Sequence, residues 1–169
     1  AFSKESAPKM TPYYYNFDKG DATVLAVWQE LYKGIDNANN LLENADRADC
    51  DEKLIKQIKG ESLFLRGYYH FLLTGYWGDV PLKLTSTKNA EDVHIPRTPS
   101  SEVYAQVIKD MTESLDMVED ISVLGFGGRV SKQAVKGILA RVCLHAAGRI
   151  PDADETYYYT EARKWAKSL

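Results

Sequence analysis

Apolar residues recur along this chain at alternating four- and three-residue steps. The first run is Val24, Trp28, Leu31, Ile35, Ala38, Leu42 and Ala45, which share one face of a helix. Asp21 is a suitable first cap, and the acidic DRADCD stretch at 46–51 makes the turn that follows. A second helix runs from about Asp51 to Trp77. From Leu63 to Trp77 nearly every residue is apolar or aromatic, and Arg66 is the single formal charge. A helix apolar on almost every side belongs inside a protein, packed by other helices on several flanks. It ends abruptly at Gly78-Asp79-Val80-Pro81, because glycine accepts the left-handed turn that closes a helix and proline cannot continue one. The residue before the proline is pushed towards extended backbone, so a short extended piece is expected from Val80 to Leu84.

The connector from Thr85 to Arg97 has no periodicity and is expected on the surface. Thr98-Pro99 reads as a cap followed by proline at the first helical position. The helix behind it carries Tyr104, Val107, Ile108, Met111, Leu115 and Val118 on one face. After the flexible Leu124-Gly125-Phe126-Gly127-Gly128, Ser131 caps a fourth helix with Ala134, Val135, Ile138, Leu139, Val142 and Ala146 on its apolar side. A fifth opens near Asp154 or Thr156 and spaces Tyr158, Ala162, Trp165 and Leu169 helically. The pattern thus predicts five helices, near 21–45, 51–77, 98–119, 131–148 and 155–169, and no sustained two-residue alternation. The fold class is all-α. Antiparallel helices that each bury one face stack as hairpins, and Trp28-x-x-Leu31 resembles the opening of a tetratricopeptide repeat. Tyr32 stands where that repeat has glycine and Ile35 where it has tyrosine, and the hairpins do not recur at the regular period. The expected architecture is a degenerate, loop-expanded, right-handed solenoid of tetratricopeptide-like hairpins.

A lone cation inside an apolar helix needs a partner, since an unpaired buried charge is costly. Asp110 and Glu61 are the carboxylates offered to Arg66. Composition adds little to the fold but removes several functions. The net charge of −3 over 169 residues provides no basic field for nucleic acid. The apolar runs are too short to span a bilayer. Cys50 and Cys143 form no redox or metal motif. His70, His94 and His145 are far apart and form no H-E-x-x-H pattern, so neither a metal nor another cofactor is expected. Asp46, Asp49, Asp51 and Glu52 lack the glycine and spacing of a calcium loop. Ser62 and Ser131 have no nucleophile-elbow context. Glu61 and Asp79 are the acids that could be considered for glycoside hydrolysis, but Glu61 is better placed for a structural role near Arg66. No catalytic residue is assigned.

Four segments carry a family resemblance. They are WQELYKGIDNAN at 28–39, ESLFLRGYY at 61–69 continuing to YWGDVPL at 76–82, RTPS at 97–100 with Val103-Tyr104 and Ile108-Lys109-Asp110, and GRVSK at 128–132 with LARVCL at 139–144. In order and spacing they resemble the SusD/RagB family of outer-membrane nutrient-binding lipoproteins, with mild departures at Ser62, Gly67, Met111, Val135 and Cys143. The resemblance implies that residues 1–169 are the amino-terminal part of a helical-repeat core within a longer chain, consistent with a start lacking methionine and a stop within a helical pattern. It further implies capture of an oligosaccharide, or sometimes a peptide, without bond cleavage. The implied partner is a SusC-like TonB-dependent outer-membrane transporter. The implied location is the cell surface, with a lipid anchor on a cysteine upstream of this segment.

Sugar rings offer apolar C–H faces and hydroxyl edges, so they call for aromatic platforms beside hydrogen-bonding groups. The chain has 11 Tyr against 5 Phe and 3 Trp, and tyrosine suits partly exposed contact surfaces. Tyr13, Tyr14, Tyr15, Asn16 and Asp18, just upstream of the first helix, hold those ingredients and are the candidate ligand-binding region. The same tyrosines would also suit packing against the rest of a longer chain, and both readings stand. Tyr157-Tyr158-Tyr159 is a second aromatic run whose members point in different directions on a helix and read as core and interface filling. Two functions follow: glycan capture for a transporter, or a helical-repeat scaffold that binds a protein or peptide.

Overall fold

The computed structural model describes residues 20–169. Helix α1 spans Ala22–Asn44 and is capped by Asp21, whose Oδ1 accepts from the backbone N–H groups of Thr23 and Val24. A 3₁₀ turn over Ala45–Arg47 leads to α2, Glu52–Trp77, capped in the same way by Asp51. Both caps satisfy amide donors that a helix start leaves without partners. Helix α2 stops at Gly78, whose φ of +70° is open to glycine at little cost. The Thr74 hydroxyl donates to the Gly78 carbonyl at 2.9 Å and fixes the exit.

The remaining elements are α3 (Ser100–Leu115), the single turn α4 (Ile121–Leu124), α5 (Lys132–Arg149) and α6 (Glu155–Lys167). Helices α1 and α2 pack as a hairpin, α2 lies on α3, α3 on α5, and α5 on α6. This is the expected all-α stack of tetratricopeptide-like hairpins. Its core is one continuous cluster in which Ile35, Leu73, Val107, Met111, Val135 and Leu139 are fully buried. Each such side chain contributes about 1.5–3 kcal/mol relative to an exposed one.

The third helix departs from expectation at both ends. Thr98 does not cap it. Thr98 and Arg97 form a short strand β2, antiparallel to β1 (Val80–Pro81), with Val80 opposite Thr98 and Pro81 opposite Arg97. Pro99 precedes the helix, and the Ser100 amide donates to Asp79 Oδ1 at 2.8 Å. At the other end α3 stops at Leu115 rather than 119, and the Glu119 amide is taken by Gln57 Oε1 at 2.6 Å. Within the fourth expected face Ala134 is exposed, while Cys143 and Ala147 are buried beside Val142 and Ala146.

Candidate functional site

One stripe of α1 organises the polar chemistry of the molecule. Tyr32, Asp36, Asn39 and Glu43 follow one another at four- and three-residue steps and face the connector beyond β1. The Tyr32 hydroxyl donates to the Pro81 carbonyl at 2.8 Å, and burial pushes its pKa well above the usual tyrosine value. Asp36 Oδ1 accepts from both the amide and the hydroxyl of Thr87, at 2.7 and 2.8 Å. Asn39 donates to the carbonyls of Lys83 and Thr85. Glu43 accepts from the amide and hydroxyl of Ser86 and pairs with Lys88. Those bonds, the Ser86 amide first, hold the Glu43 carboxyl down at about 2. The extended piece after α2 and the aperiodic connector behind it are therefore a fixed wall on α1, with Lys83 of the first and Ser86 of the second buried.

Arg66 joins this wall to the next hairpin. Its guanidinium donates to both oxygens of Asp110, Nε to Oδ2 and Nη2 to Oδ1, each at 2.7 Å. Nη1 donates to Asn39 Oδ1 at 3.1 Å. Glu61, the other carboxylate considered for Arg66, instead accepts from Nε and Nη2 of Arg129 at 2.8 and 2.9 Å and from Gln57 at 2.8 Å. His70 is buried two helical turns from the α2 exit. Its Nε2 faces the Lys83 amide at 3.3 Å and Nδ1 faces the Arg66 carbonyl at 3.0 Å, which requires the neutral tautomer protonated on Nδ1. Desolvation lowers its pKa to about 4.

Between α1 and the connector lies a groove of about 370 Å³. Trp28 and Tyr32 form one wall and Val93 and Ile95 the other, while Lys33, Asp36, Lys83 and Thr87 add polar groups. Aromatic rings continue from this groove to the surface. Trp28 meets Tyr32 at 4.9 Å and Trp77 edge-on at 5.2 Å, and Trp77 meets Tyr76 at 5.7 Å between ring centroids. Tyr76 is 71% exposed. This groove was not among the sequence-predicted sites. Its aromatic wall was visible in the WQELY motif, but Lys83 comes from the extended piece after α2 and Thr87 from the connector, where no pattern reveals them.

Tyr13, Tyr14, Tyr15, Asn16 and Asp18 lie outside the described residues. Tyr157 and Tyr159 are half exposed on α6, and Tyr158 packs against the core between them. Among the described residues no group of three or more His, Cys, Asp or Glu side chains could hold a metal ion, and no helix is long and apolar enough to cross a membrane.

An all-α stack of tetratricopeptide-like hairpins, with an aromatic groove walled by a fixed connector, defines a helical-repeat protein. The family model described as SusD-like, "starch-binding associating with outer membrane", matches residues 1–144, and the chain belongs to that family. SusD-like protein P2 of Formosa agariphila is 29% identical over 108 residues, covering 62% of this chain and 21% of that relative. A SusD superfamily structure from Parabacteroides distasonis superposes with a TM-score of 0.81 at 29% identity, over 94% of this chain and 33% of that one. A laminarin-binding SusD-like protein superposes with a TM-score of 0.69 at 27% identity, over 81% of this chain and 28% of that one. The chain spans about a fifth to a third of the lengths of these relatives.

Proposed function

We propose that this chain belongs to the helical-repeat core of a longer SusD-like lipoprotein that captures an oligosaccharide at the outer-membrane surface and delivers it, uncleaved, to a TonB-dependent transporter. Residues 1–169 are the amino-terminal part of that core, and the lipid anchor sits on a cysteine upstream. The family match over residues 1–144 carries this reading. The laminarin-binding relative supports an oligosaccharide as ligand. The aromatic run from Tyr76 to Tyr32 supplies stacking surface of the kind sugars need.

The chemistry of the described residues is consistent with binding rather than hydrolysis. Glu61 is held by Arg129 and Gln57, and Asp79 by the α3 amide. Each carboxylate is committed to a structural bond. Their roles are those of a joint and a cap rather than of a general acid and its partner.

The test is a glycan array probed with the full-length protein, followed by a reducing-sugar assay on whatever it retains. Retention of an oligosaccharide without release of reducing ends is expected. Release of reducing sugar, or retention of no glycan, contradicts the proposal.

A further inference from the structure

The groove between α1 and the connector contains a polar arrangement that the fold itself does not use up. Lys83 lines it with a side chain only 8% exposed, yet its ammonium makes no hydrogen bond. The near acid is Asp36, whose Oδ1 stands 3.5 Å away and already accepts twice from Thr87. Leaving the donors of a buried charge unmade is costly. An ammonium serving the fold alone would be expected to close onto a carbonyl or carboxylate, as Arg66 closes onto Asp110 at 2.7 Å.

We infer that this groove is a sugar subsite, and that Lys83 and Asp36 read a pair of free hydroxyls on adjacent ring carbons of a neutral sugar. The inference rests on the glycan-binding reading above. A hydroxyl both donates and accepts. One member of a vicinal pair accepts from the Lys83 ammonium, while its neighbour donates to Asp36 Oδ2, the oxygen that the Thr87 bonds leave aside. Trp28 and Tyr32 provide an apolar wall for the C–H face of the same ring, and the groove volume of about 370 Å³ falls in the range of small-ligand sites. Among the described residues Asp36 is the single carboxylate of the groove, beside Lys33 and Lys83, and an acidic sugar is the alternative that the test below separates. The ammonium is covered in this conformation, so the ligand engages it as the terminal torsion of the lysine turns outward, and the hydrogen bonds it lacks favour that turn.

The test is titration calorimetry on the full-length protein with three oligosaccharide sets. The 1,4-linked gluco-oligosaccharides keep adjacent 2- and 3-hydroxyls on every ring. The 1,3-linked laminari-oligosaccharides keep no adjacent free pair on internal rings, and oligogalacturonates keep the pair but add a carboxylate. The inference expects the 1,4-linked set to bind, Lys83→Met and Asp36→Asn each to weaken it about tenfold or more, which is about 1.4 kcal/mol, and mild periodate cleavage of the diols to abolish the response. Unchanged melting of Asp36→Asn separates lost recognition from lost folding. Tighter binding of the 1,3-linked set or of the oligogalacturonates, with both variants unaffected, overturns the diol site and leaves glycan capture standing. Failure of all three sets, and of every glycan on the array, overturns both.

Discussion

Arg66 and Asp110 form a two-pronged ion pair between α2 and α3, with both N–O distances at 2.7 Å and side chains 11% and 1% exposed. Gln106 donates a further bond to the same carboxylate, and Asn39 accepts from the same guanidinium. The pair therefore ties the first hairpin, the connector and the second hairpin at one point. Removing one partner leaves the other charged and buried. Asp110→Ala should cost about 3–5 kcal/mol of unfolding free energy in urea. The double change Arg66→Met with Asp110→Leu should cost much less, since it removes both charges together. A loss under about 1 kcal/mol for Asp110→Ala would show that the joint is not structural.

Gly60 and Gly137 make opposite predictions for the same substitution. A methyl group at Gly60 would stand 2.7 Å from Met117 Cβ and 2.8 Å from Val118 Cγ1, whereas one at Gly137 meets nothing within 4 Å. Gly60→Ala should destabilise by about 1–3 kcal/mol through overpacking of the α2 surface against the turn after α3. Gly137→Ala should stabilise by about 0.5–1 kcal/mol, because alanine suits a helix interior better than glycine. Thermal melting of the two variants, compared side by side, reads the difference. Equal shifts would contradict the packing described for Gly60.

Asp79 acts at a distance of 21 residues by capping the first turn of α3. Asp79→Ala should cost about 1 kcal/mol, with amide exchange quickening at Ser100 and its neighbours before it does at the centre of α3. Exchange unchanged at Ser100 would mean that the cap bond contributes nothing.

How far the sequence revealed this structure depends on whether the decisive partner was local. The apolar stripes of α1, α3 and α5 are periodic in sequence and were legible, because a helical face needs only its own spacing, and α2 was legible as a helix apolar on almost every side. The start of α3 was misread because Thr98-Pro99 looks like a self-sufficient cap, while the cap comes from Asp79 and Thr98 joins β1 instead. The end of α3 was misread because Val118 continues the stripe, although Gln57 on another helix takes the Glu119 amide. The one-turn α4 is too short to display a period. Ser86 was assigned to a surface connector and Lys83 to the short extended piece before it; their burial follows from the Tyr32, Asp36, Asn39 and Glu43 stripe, which no local pattern in residues 83–87 announces. The four family motifs meet as joints: Glu61 with Arg129, Arg66 with Asp110 and Asn39, Asp79 with Ser100. They identify the fold more directly than the ligand.

His70 gives the fold an acid-side dependence. Burial, the largest cause, holds its pKa down at about 4, against 6.5 when free. Between those values the unfolded chain binds a proton that the folded chain refuses, so stability should fall as the pH is lowered from about 6.5 to about 4, by on the order of 3 kcal/mol. His145 is shifted the same way, first by desolvation. The Glu43 and Asp120 carboxyls, lowered to about 2 chiefly by backbone amide bonds, lose their contribution as the pH falls from their free values of 4.5 and 3.8 towards about 2. Urea unfolding across pH 4–7 should show the slope in the parent chain and a flatter profile in His70→Gln. Parallel profiles would remove His70 as its source.

The central claim is that the complete protein holds a glycan without cutting it, with Tyr13, Tyr14 and Asn16 at or near the site. Titration calorimetry of the full-length protein, before and after changing Tyr13, Tyr14 and Asn16 together to alanine, tests this most directly. The account predicts measurable oligosaccharide affinity in the parent, a loss of about tenfold or more in the triple variant, and identical helical content by circular dichroism. Affinity undiminished in the triple variant would contradict the placement of the site, and an absence of any glycan affinity in the parent would contradict the function.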